Sequence, residues 1–213
     1  MNTSMNSIKS KFNFKPKNSK SMKIKKNFKI AAIAIIAAVA FSACSDDDDG
    51  NPEPVNESEV ITDVTLTFTG EDGSSEIYTF KGPQYRGDNY VDPVIDLTSN
   101  EVYNVEANFF DRSNPDDPET ITSEVMEESD AHFLEYDFNG VDIELTRTDG
   151  EMSTDSDGVQ IGLSTEWVAQ SASEGQVTVT LIHEASSKDT SNPNGDHEGG
   201  ETDAMVDFGL NVQ

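Results

Sequence analysis

Cysteine is almost missing from this chain: Cys44 is the only one in 213 residues. No internal disulfide can form, so the fold stands on packing alone or on packing with a bound metal. Basic side chains are nearly as scarce beyond residue 29. Lys81, Arg86, Arg112, Arg147 and Lys188 face all 41 acidic residues, a net of −36. Five scattered cations cannot build a basic patch, which excludes nucleic acid as a partner and disfavours direct adsorption to an anionic membrane. Long apolar runs are absent too. The most apolar stretch, residues 30–40, is eleven residues long, short of the ~20 that a spanning helix needs. Catalytic signatures are likewise missing. There is no Gly-x-Ser-x-Gly, no phosphate-cradling glycine loop and no His-Glu-x-x-His. Paired carboxylates carry no signal in a chain this acidic, and the sequence reads as non-enzymatic. Such acidity keeps copies soluble and apart, and it suits a chain that collects cations or lives in salty water.

What is there begins at the N-terminus. Nine lysines between Lys9 and Lys29, with no acidic residue before Asp46, precede the apolar run. Phe41-Ser42-Ala43-Cys44 follows, and it resembles a bacterial lipobox, in which the chain is cut before the cysteine and the thiol is acylated. Phe41 departs from the aliphatic residue usual at the first lipobox position. The alternative is an uncleaved anchor with an incidental thiol, for which the apolar run is short. Residues 1–43 are therefore expected to be a lipoprotein signal peptide, with Met22 as an alternative start to Met1. Lipidation at Cys44 would hold the protein to a membrane at roughly 0.8 kcal/mol per buried methylene. Ser45, Asp46, Asp47, Asp48 and Asp49 look like the acidic export signal of lipoproteins that face the cell exterior; a solvated spacer is the blander reading. With Gly50, Pro52 and Pro54, residues 44–58 read as an acidic flexible tether.

Residues 59–213 are the length of one domain, and period-two alternation dominates them. Val64, Leu66 and Phe68 share one face against Thr65, Thr67 and Thr69. The same rhythm recurs around Phe80, at Val105, Ala107 and Phe109, at Leu134, Tyr136 and Phe138, and at Ile143 and Leu145. It continues through Ile161, Leu163 and Trp167, then Val177, Val179 and Leu181, and closes with Val206, Phe208, Leu210 and Val212. Strands with one buried and one wet face make antiparallel sheets, and eight or nine of them predict an all-β, antiparallel immunoglobulin-like β-sandwich. Asn139-Gly140 predicts a two-residue hairpin. One segment breaks the rhythm: Ile121 and Val125 at helical spacing, behind Thr120 as N-cap, predict a single short helix. The polar loops 111–118 and 185–200 are the expected functional surfaces.

Two groups of residues could hold a cation. His183 ends a strand, His197 lies in the loop after it, and Glu201 and Asp203 open the next strand. If those strands are adjacent, the four meet at one rim, and His132 joins them if its strand end lies nearby. Imidazole with carboxylate suits zinc or another divalent metal. The blander reading leaves His183 as a rim residue and His197 as a solvated loop residue. The second group is Asp155-Ser156-Asp157-Gly158, where Asp155 and Asp157 suit oxygen coordination of calcium. It lacks the third ligand position and the distal Glu of a calcium-binding helical hand, and it also fits an ordinary β-turn.

The leader, the Asn51-Pro52-Glu53-Pro54 tether and several phrases resemble a group of small Bacteroidota surface lipoproteins. The phrases are Glu59-Val60-Ile61-Thr62-Asp63-Val64-Thr65-Leu66-Thr67-Phe68, Gly162-Leu163-Ser164-Thr165, Val179-Thr180-Leu181-Ile182-His183-Glu184 and Gly199-Gly200-Glu201-Thr202-Asp203. Members are often labelled "type 1 periplasmic binding fold" proteins and are said to accompany TonB-dependent outer-membrane receptors. That label implies a two-lobed α/β architecture with several helices, from which this short, helix-poor chain departs. The resemblance implies an outer-membrane address and a receptor partner. The expected function is a ligand- or metal-binding accessory at the cell surface. The alternative is a structural or adhesive surface module.

Overall fold

The computed structural model describes residues 59–213. Cys44, the acidic run 45–49 and the tether 44–58 lie outside the described residues. In chain order the strands are β1 (Asp63–Gly70), β2 (Ser75–Lys81), β3 (Val94–Leu97), β4 (Val102–Asp111) and β5 (Glu119–Thr120). They continue with β6 (His132–Asn139), β7 (Ile143–Arg147), β8 (Ser164–Ala169) and β9 (Ser173–His183). The last three are β10 (Ser187–Asp189), β11 (Asp196–Glu198) and β12 (Glu201–Val212), and the helix α1 (Thr122–Glu127) lies between β5 and β6. Among the described residues no helix is long and apolar enough to cross a membrane.

Two sheets face one another. The first runs β2-β1-β4-β8-β7, with the short β5 added to β4, and the second runs β3-β12-β9-β6. All pairings are antiparallel except β3 with β12, which is parallel and covers only Gly209–Val212 of the longer strand. The inner faces are the rows that alternation predicts. Val64, Leu66 and Phe68 meet Val105, Ala107 and Phe109 in the first sheet, and Leu134, Tyr136, Val177, Val179, Leu181, Val206 and Phe208 line the second. Trp167, fully buried, takes Phe68, Tyr136 and Phe138 edge-on at centroid distances of 5.2, 5.8 and 4.9 Å, and so joins the two sheets. Such aromatic pairs add about 0.5–1.5 kcal/mol each beyond the area they bury. The described residues thus form an all-β sandwich with one short α-helix, as the sequence pattern predicts.

Three local expectations need correction. Asn139-Gly140 is not a hairpin turn, because β6 and β7 belong to different sheets. Gly140, at φ +79°, lets the chain cross between the sheets close against the backbone of Glu174 and Gly175. The helix begins after Ile121 rather than Thr120, because Thr120 is drawn into pairing with Phe110 of β4. Thr122 ties the helix down instead. Its hydroxyl accepts the Phe109 N–H at 2.8 Å and faces the Phe109 carbonyl oxygen at 3.2 Å. Residues 185–200 are not one open loop, since β10 and β11 form a separate two-stranded ribbon inside them.

Arg147 fastens that region to the body. Arg147 is 7 % exposed, and its guanidinium donates to the carbonyls of Leu134 (2.6 Å), Gln160 (3.0 Å), Pro193 (3.0 Å) and Asn194 (3.2 Å) while lying over the Phe133 ring. Gly195 leaves the space that this approach requires, as any β-carbon there would collide with the guanidinium. Beyond it, Asp149 accepts the N–H groups of Gly162, Leu163 and Ser164. Replacing the planar fork with a point charge leaves several buried carbonyls without donors. Arg147→Lys is therefore expected to lower the unfolding free energy by ~2–4 kcal/mol. Urea titration checks the magnitude. Hydrogen exchange should show the loss of protection concentrated in residues 187–198; uniform loss would remove Arg147 as their fastening.

Candidate metal centre

The second sheet runs out of apolar residues at one end. On β6 the inner row Phe138, Tyr136, Leu134 continues as His132, and on β9 the row Val177, Val179, Leu181 continues as His183. The two histidines are register partners, and their rings stack at 4.8 Å and 13°. On β12, Glu201 pairs with His183. The register then shifts between Thr202 and Ala204, leaving Asp203 as the extra residue of a β-bulge. A bulge re-aims side chains. Here it sends Asp203 toward His132, with Oδ2 3.7 Å from Nε2. Glu59, just ahead of β1, approaches the same nitrogen with Oε1 at 3.9 Å.

His132 is 1 % exposed, and its orientation is set by the turn that ends α1. The Glu128 carbonyl accepts the backbone N–H of Ala131 and His132, and Nδ1 of His132 lies 3.2 Å from that same oxygen. A carbonyl oxygen only accepts, so Nδ1 carries the proton and Nε2 presents its lone pair to Glu59 and Asp203. Metal-ligating imidazoles are held in this way, with the far ring nitrogen donating to a carbonyl or carboxylate. Oε2 of Glu59 and Oδ2 of Asp203 are buried without a hydrogen-bond partner among the described residues. The Asp203 side chain is only 9 % exposed. Orphaned buried carboxylate oxygens are costly and call for a counter-charge. Two ligands bound tetrahedrally at about 2.1 Å from zinc stand ~3.4 Å apart, close to the separations at Nε2. One ligand atom each from Glu59, His132 and Asp203 lie within 4.8 Å of one another, and so do those of Glu128, His132 and His183.

The charges are poised accordingly. Burial, then the nearby Asp203, Glu124 and Glu128 carboxylates, push the Glu59 carboxyl up to about 7. Burial also raises Asp203, against the pull of His183. Burial lowers His132, and its hydrogen bond to Glu128 partly restores it. The cluster is thus a set of carboxylates crowded around an uncharged imidazole, which a divalent cation would relieve.

The structure brings His132, His183, Glu201 and Asp203 to one rim and leaves His197 out. His197 sits on β11 opposite Lys188, and its Nδ1 pairs with Oε1 of Glu135. The reason is topological: β9 and β12 pair directly, so the intervening residues carry His197 away on their own ribbon. The turn at Asp155 is likewise built for another purpose. Oδ1 of Asp155 accepts the N–H of Asp157 and Val159, and Oδ2 faces the ammonium of Lys188 at 3.1 Å. That ammonium also donates to the Ser129 and Asp130 carbonyls, so it stands where calcium would need to bind. Sequence reasoning missed Glu59 and Glu128. Glu128 sits four residues before His132 at a helix end, which is a readable signal. Glu59, on a segment with no pattern of its own, gave none.

Comparison with known protein families, with curated proteins and with solved structures finds no match to this chain.

The raised Glu59 pKa has a signed consequence. An acid whose folded pKa exceeds its unfolded value contributes stability at low pH that is lost as pH rises through the folded value. With chelator present, wild type and Glu59→Gln should match in stability near pH 4.5. The glutamine variant should become the more stable one above about pH 7. Thermal melts at the two pH values check this, and a constant difference would place Glu59 in solvent.

Proposed function

We propose that this chain is a lipid-anchored, non-enzymatic protein of the outer-membrane surface that binds a divalent metal, zinc by preference, through Glu59, His132 and Asp203. One observation carries the metal reading: Glu59 and Asp203, each with a buried carboxylate oxygen that has no hydrogen-bond partner among the described residues, approach a histidine whose other ring nitrogen is already tied to a carbonyl. One imidazole and two carboxylates suit zinc or a comparable divalent ion better than a soft monovalent one. The address rests on the lipobox around Cys44 and the acidic run behind it. The role as accessory to a TonB-dependent receptor rests on the resemblance to surface lipoproteins. Its chemistry is consistent with a strongly anionic chain that gathers cations where they are scarce.

Zinc at a hundredfold excess over Kd stabilises a folded state that alone binds it by about 2.7 kcal/mol, which for a domain of this size is a rise in Tm of about 5–10 °C. The purified full chain should show that rise at pH 7.5. Asp203→Asn should remove most of it, while His197→Ala and Asp155→Ala should retain it. A zinc response lost in His197→Ala and kept in Asp203→Asn would move the site to the β10–β11 ribbon. No response in the wild type would end the metal reading.

The address is tested separately. Cys44→Ala should abolish lipid labelling and release the protein from the outer-membrane fraction. Replacement of Asp46, Asp47, Asp48 and Asp49 by Ala should protect the protein from protease added to intact cells. Membrane association unchanged in Cys44→Ala would refute the anchor.

A further inference from the structure

The two ligand triads share His132 but differ in their access to solvent. Glu59 and Asp203 have side chains 13 % and 9 % exposed, each with one buried carboxylate oxygen, and both approach Nε2 of His132. Glu128 is exposed and His183 is half-buried. Stacking holds the His183 ring against that of His132, and the turn ending α1 holds the Glu128 backbone through its N–H to Glu124 and its carbonyl to Ala131 and His132. The outer triad therefore has its two rings and the Glu128 backbone held in place, with the Glu128 carboxylate open to water.

Building on the metal reading above, we propose that Glu128, His132 and His183 form a second, outer position for the same divalent ion, through which it reaches and leaves the inner position at Glu59 and Asp203. A hydrated ion cannot enter the inner position intact, because its ligands are enclosed. It must exchange its waters for protein ligands, and a half-open triad allows that exchange in stages. An ion held by Glu128 and His183 still keeps water on the exposed side. Passage inward exchanges Glu128 and His183 for Glu59 and Asp203, with His132 the residue common to both sets. An intermediate position of this kind lowers the barrier in both directions. It alters the rates of uptake and release and leaves the equilibrium affinity to the inner ligands.

Stopped-flow measurement of zinc uptake and release on the purified full chain, against a fluorescent zinc chelator, tests the proposal. Outer partners of a metal site typically change its properties by about 10–100-fold. Glu128→Gln should slow uptake and release together by about tenfold and leave Kd within about threefold. His183→Phe, which retains a stacked ring without the ligand nitrogens, should do the same. Asp203→Asn should instead weaken Kd by about a hundredfold. Unchanged rates in both outer variants, with zinc still bound, would overturn the outer position and leave the inner site standing. A loss of affinity in Glu128→Gln equal to that in Asp203→Asn would also overturn it, because the two triads would then be one site. A wild-type chain that binds no zinc would overturn both readings together.

Discussion

The register that locks β6, β9 and β12 side by side governs both the core and the candidate site. Leu134, Leu181 and Ala204 stand across from one another, as do Tyr136, Val179 and Val206, so that one set of pairings builds the inner face of the second sheet. The same pairings place His132 beside His183 and His183 beside Glu201. A slip of one residue in any of these strands would turn its apolar row outward and dissolve the rim cluster at once. The site is thus the polar end of the hydrophobic rows, and it inherits their precision. Only the bulge at Asp203 breaks the pattern, and it is the break that delivers the carboxylate to Nε2 of His132.

Charge scarcity shapes the rest of the molecule. Every one of the five basic residues in the described region is engaged internally. Lys81 and Arg112 both reach Asp63, Arg86 reaches Asp92, Lys188 reaches Asp155, and Arg147 satisfies backbone carbonyls. Asp63, 1 % exposed, is a buried carboxylate that two of these cations neutralise. Glu59 and Asp203 form the contrasting case, with raised pKa values and orphaned oxygens. In a chain that spends its cations so fully elsewhere, an acidic pair held against a neutral histidine stands out as a feature with a use.

Much of the fold was legible because alternation is a local signal. The rows at Val64, Val105, Leu134, Val177 and Val206 each declare a strand and its buried face without reference to any partner. Pairing is not local, and there the reading weakened. Asn139-Gly140 has the residues of a hairpin turn, yet whether two strands pair across it depends on which sheet each joins. The short strands β3, β5, β10 and β11 carry too few residues to show a period. For the candidate site, His183 and Asp203 could be placed at one rim because they flank strands expected to be adjacent. His132 followed from its place at a strand start. His197 could not be excluded from sequence, since its departure on a separate ribbon is a matter of chain path. Glu59 belongs to a segment whose position is fixed by the tertiary fold alone.

The partial cover of β12 by β3 has a consequence for how copies of this protein meet. Because β3 reaches only Gly209–Val212, the earlier half of the strand has β9 on one side and, among the described residues, no strand pairing on the other. Bare strand edges are templates on which further chains can zip into continuous sheet. This one is spoiled for that purpose. The bulge at Asp203 bends it out of line, and the same half of the strand carries two exposed acidic residues, Glu201 and Asp207, the latter accepting the Thr178 hydroxyl of β9. Two such edges brought together would oppose like charge with like charge along a kinked seam. The irregularity that aims Asp203 at His132 also interrupts this edge as a template for further strands, so straightening the strand would put solubility at risk along with the candidate site.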